Sequence, residues 1–81
     1  MEKSKKQIEF EMFGMTIEEF KSNNSAWCDF SDAFDLISFS ISIQSDVQEG
    51  LDINCLNKVQ MLNLSKWCLS EAKSILRKEM K

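Results

Sequence analysis

LISFSISIQS, residues Leu36 to Ser45, can be read two ways, and the choice between them sets the architecture. Taken alone it alternates: Ile37, Phe39, Ile41 and Ile43 stand against Ser38, Ser40, Ser42 and Gln44. That is the pattern of a half-buried strand, and β-branched isoleucine suits one. Taken with its neighbours it is helical, because Trp27, Phe30, Phe34, Ile37 and Ile41 follow at intervals of three and four and share one helical stripe. Leu36, Phe39, Ile43 and Val47 then form a second stripe on the same helix, with the serines in the gaps. Each serine costs about 0.5 kcal/mol relative to alanine in a helix, less than the burial of two apolar stripes returns.

The helical template accounts for more residues and predicts an all-α chain: an antiparallel helical hairpin preceded by a short N-terminal helix or arm. The strand alternative is a small α+β domain, with strands at 7–13 and 36–44 around a helix from 16 to about 33 and a final helix. Its two-stranded sheet is marginal without the last helix across it or a second subunit extending it.

Working outward, the chain has no proline, and its only glycines, Gly14 and Gly50, divide it. Residues 1–14 alternate Ile8, Phe10 and Met12 with Glu9 and Glu11, the pattern of an extended arm or short strand. After Gly14, Thr16 and Glu19 form a capping-box pair, and Met15 and Phe20 have the spacing of a hydrophobic staple. Residues 16–48 are predicted helical with a break near 22–25, where Asn24 or Ser25 can cap a new helix whose early turns carry Asp29 and Asp32. Residues 52–80 read as one long helix, capped by Asp52 and ending among Lys73, Arg77 and Lys78. Its apolar face runs through Cys55, Leu62, Leu69 and Leu76 beside Met61, Cys68 and Ile75.

At 81 residues, 43% of them hydrophobic and 28% charged, the chain has the size and composition of one small domain. Domains this small bury about 60% of the surface of their unfolded chain and often need a staple or a partner subunit. Cys28, Cys55 and Cys68 are odd in number and scattered, and without a histidine they complete no zinc site, so no metal is expected. Their apolar surroundings point to packed thiols in a reducing, cytoplasmic setting. No apolar run approaches a membrane span, and Glu9 and Glu11 interrupt any signal-peptide pattern.

The two halves carry opposite charge: residues 1–54 have four lysines against eleven acids, and residues 55–81 have six basic residues against two acids. An antiparallel hairpin then brings Asp29, Asp32 and Asp35 toward Lys73, Arg77 and Lys78. The second stripe is left over, and two covers are open to it: a homodimer closing a four-helix bundle through Leu36, Phe39, Ile43, Val47 and Trp67, or the N-terminal elements folding over that face as a third layer.

With no histidine, tyrosine or glycine-rich loop, the chain lacks the usual acid–base and phosphate-binding groups, so a non-catalytic protein without cofactors is expected. Lys66, Lys73, Arg77 and Lys81 line up as a basic stripe able to track phosphates. The net charge of −3 weighs against a dedicated nucleic-acid binder. The acidic first half as a nucleic-acid mimic is a third reading. The leading expectation is a small protein–protein interaction module: a regulator, adaptor or inhibitor, of the size common among phage and plasmid regulators, that binds itself or a larger protein.

Overall fold

The computed structural model describes residues 2–50 and 56–80, and among these every regular element is an α-helix. The elements are α1 (Lys5–Phe13), α2 (Ile17–Asn24), α3 (Ala33–Glu49) and α4 (Lys58–Glu79). LISFSISIQS lies wholly inside α3, so the α+β alternative falls.

The leader is a helix and not an arm or strand. Ser4 caps its first turn by accepting from the Gln7 amide, and Gly14, in the left-handed conformation at φ 75°, closes it by donating to the Phe10 carbonyl. Two caps outweigh an alternation of only three apolar residues. α2 begins where the capping signal lies: Thr16 accepts from the Glu19 amide at 3.2 Å, and the staple pair Met15 and Phe20 is buried.

The break after α2 is longer than the sequence indicates, running from Ser25 to Asp32. Neither Asn24 nor Ser25 starts the next helix; Asn24 ends α2 and donates its side-chain amide to the Phe20 carbonyl at 2.8 Å. Asp32 caps α3 instead, accepting from the Phe34 amide. The aspartates here serve the turn and cap, for which their short side chains are suited. α4 opens at Lys58 behind Asn57, which forms a full capping box with Gln60, so the helix starts later than residue 52. The expected cap Asp52 and the apolar position Cys55 lie outside the described residues.

α3 and α4 form a helical hairpin. At its centre Ser40 and Ser65 are both buried, with hydroxyls 2.7 Å apart, Ser40 Oγ donating to the Ser65 carbonyl and Gln44 Nε2 donating to Ser65 Oγ. Small residues at this contact, with Ala33, Cys68 and Ala72, let the helix axes approach closely. Around it Leu36, Ile43, Met61 and Leu64 fill the core.

α1 and α2 lie on one face of this hairpin. Asn63 Nδ2 donates to the Met12 carbonyl, and Leu56 and Gln60 crowd the Cα of Gly14. Phe20 is buried among Phe30, Phe39 and Trp67, with ring centroids 5.7, 5.9 and 6.1 Å away. The result is a two-layer slab of 38 × 37 × 19 Å.

Candidate protein interface

α3 carries two apolar stripes, and the structure assigns them opposite to the sequence expectation. Leu36 and Ile43 are buried at 0 and 2% exposure, and Phe39, Val47 and Trp67 pack on the same core. Of the five residues named for a dimer interface, Phe39 and Trp67 are met by Phe20 of α2, as the alternative of cover by the N-terminal elements expects, while Leu36, Ile43 and Val47 pack in the core of the hairpin. Phe34 and Ile41, from the other stripe, are exposed at 72 and 59%. On the buried face Ser40 stands between Leu36 and Ile43 and meets Ser65 at hydrogen-bonding distance. Phe34 and Ile41 on the inside would hold the two helices apart.

Trp27 is exposed at 76%, unusual for a side chain that is highly buried on average. Its backbone is fixed nonetheless. The amides of Trp27 and Cys28 both donate to the Asn24 carbonyl, Asp35 accepts from the Asp29 amide, and Asp29 accepts from the amide and hydroxyl of Ser31. These bonds from Ser31 hold the Asp29 carboxyl below the usual carboxylate range.

Two shallow grooves meet this loop. One, of about 290 Å³, is lined by Trp27, Asp35, Ser38, Phe39 and Ser42. The other, of about 600 Å³, includes Lys21, Cys28, Asp29, Phe30 and Asp35. Trp27 is thus an exposed aromatic on a hydrogen-bonded loop that also carries Asp29 and Asp32, with Asp35 lining the same groove. The sequence did carry a signal for it: Trp27 sits among Asn23, Asn24, Ser25, Asp29, Ser31 and Asp32, a cluster that favours turns over a helical stripe.

The expected pairing of Asp29, Asp32 and Asp35 with Lys73, Arg77 and Lys78 does not occur. Among the described residues the one ion pair is Lys3–Glu11 at 2.6 Å, between exposed side chains. The aspartates are engaged by the turn and cap described above. Lys66, Lys73 and Arg77 are exposed along α4, and Lys81 lies outside the described residues.

Cys28 and Cys68 are free and buried. Burial, with Asp35 and Asp29 adding to it, raises the Cys28 thiol to about 11. Burial, with Cys28 and Glu71 nearby, raises Cys68 to about 12. Both thiols stay protonated at neutral pH, the state of packed cysteines rather than nucleophiles. Among the described residues no three acidic or thiol side chains gather where they could share a metal ion, and no helix is long and apolar enough to cross a membrane. Comparison with family models, curated proteins and solved structures finds no match to this chain.

Proposed function

We propose that this chain is a non-catalytic interaction module, a small regulator, adaptor or inhibitor that acts by inserting Trp27 into a larger protein. The observation that carries the reading is the pairing of high exposure with a fixed backbone at that residue. A backbone already hydrogen-bonded before binding has little freedom left to lose on docking, and tryptophan is enriched among the residues that dominate interface energies. The flanking Asp29, Asp32 and Asp35 define the complementary surface: an apolar pocket with a basic rim.

Trp27→Asp removes the knob without touching the core. The test is capture from extract of the protein's own host, comparing wild-type chain with the Trp27→Asp variant. The expected result is a protein retained by the first and lost from the second, more weakly retained at high salt. Identical retention by both would refute the role of Trp27.

A further inference from the structure

The hairpin has two faces. α1, α2 and the Phe20 cluster cover the one formed by Phe39 on α3 and by Gln60, Asn63 and Trp67 on α4. Helical periodicity puts Phe34, Ile37 and Ile41 of α3 and Leu62, Leu69 and Leu76 of α4 on the opposite face. Phe34 and Ile41 are exposed and the other four only partly buried, and no described element crosses them.

We infer that this open face is the interface of a two-fold homodimer in which α3 of each protomer lies over α4 of its partner, closing a four-helix bundle. The proposal adds a second contact to the interaction module and does not use the Trp27 surface.

Charge and size select a second copy as the occupant. α3 carries no basic residue, and of its acids Glu49 borders the open face while Asp35 and Asp46 lie on the Phe39 side; α4 carries Lys58, Lys66, Lys73, Arg77 and Lys78 against Glu71 and Glu79. A two-fold axis parallel to the helices gives the ring order α3, α4, α3, α4, so every neighbouring pair is antiparallel and opposite in charge. Lys66 and Lys73 then flank the outer edge of the partner's α3, which bears Ser38, Ser45 and Glu49 and no cation. The other packing, α4 on α4, would stack the two lysine rows against each other. The face is as long as the 17-residue α3 and two helices wide, about 25 by 20 Å. That is about 500 Å² in projection, against the roughly 800 Å² per partner of a standard interface.

The test is molar mass by light scattering over a dilution series, with circular dichroism on the same samples, for the wild type, Ile41→Asp, the Lys66→Glu/Lys73→Glu pair and Trp27→Asp. The wild type and Trp27→Asp should approach twice 9.4 kDa at the concentrated end. Ile41→Asp should remain helical at 9.4 kDa at every concentration, and the lysine pair should need more protein to dimerise. A wild type that stays at the single-chain mass throughout overturns the proposal. So does a dimer that survives Ile41→Asp, and so does loss of helix in Ile41→Asp, since that would place Ile41 inside the protomer. Failure here leaves capture through Trp27 standing, and loss of capture leaves the dimer standing.

Discussion

Replacing Phe20 by alanine removes the ring on which the two layers of the slab meet. Phe20 is 1% exposed and contacts Phe30, Phe39 and Trp67, which come from the loop, α3 and α4. Truncating a fully buried phenylalanine costs about 3–5 kcal/mol, part of it from the cavity left where three rigid rings cannot collapse together. A domain of 81 residues has a total stability of about 4–12 kcal/mol. Phe20→Ala should therefore remove about a quarter of the stability or more, and it should loosen α1 and α2 from the hairpin first. Urea unfolding followed by circular dichroism reads the total, and Trp67 emission reads the cluster, best in a Trp27→Phe background that leaves Trp67 as the single fluorophore. Phe10→Ala is the matched control, because Phe10 is 49% exposed and its loss should cost no more than about 0.5 kcal/mol. Equal effects of the two substitutions, or a midpoint for Phe20→Ala within error of wild type, would refute the layered packing.

Ser40→Ala and Ser65→Ala should each cost about 1 kcal/mol, and the double variant less than their sum, because the hydroxyls are each other's partner at 2.7 Å; a double-mutant cycle in urea checks this, and strict additivity would contradict the contact. Ser40→Leu should cost more than either, about 1–3 kcal/mol or beyond, because it wedges apart the closest approach of α3 and α4. Iodoacetamide at pH 8, with the modified peptides mapped by mass spectrometry, should label folded Cys28 and Cys68 far more slowly than the unfolded chain, Cys68 slowest. Because folding raises both thiols, to about 11 and about 12, their contribution to stability is complete below the unfolded thiol value of about 8.5. It is lost as pH rises through the folded values, so urea midpoints should fall across that alkaline window, and less so in Cys68→Ala when compared with its own neutral-pH midpoint.

The helical nature of LISFSISIQS was legible because one stripe at three-and-four spacing explained more residues than alternation did. The staple of Met15 and Phe20 was legible too, since it depends on six consecutive positions. What periodicity could not supply was which stripe of α3 faces inward. Two stripes of similar apolar content compete, each with small serines in its gaps, and the contact of Ser40 with Ser65 of α4 exists only once the two helices are together. Long-range contacts of this kind have no local signature. Carrying the helical template back through Trp27 had a related cause: its spacing matched the stripe, while the turn-forming residues around it set the backbone. The basic stripe was visible as exposed positions on α4, but the acids expected to meet it were engaged by capping, which acts at shorter range than charge pairing.

Small-angle X-ray scattering of the native chain tests the open hairpin face most directly, since one curve gives both mass and shape. A single protomer is a slab 19 Å thick with a radius of gyration of 13.0 Å. Two protomers joined through Phe34, Ile41 and Leu69 should scatter with twice the mass and a radius of gyration above 13.0 Å, at the value given by the four-helix arrangement. A particle of one chain at every concentration, or a doubled mass whose curve does not fit two hairpins packed face to face, would contradict it.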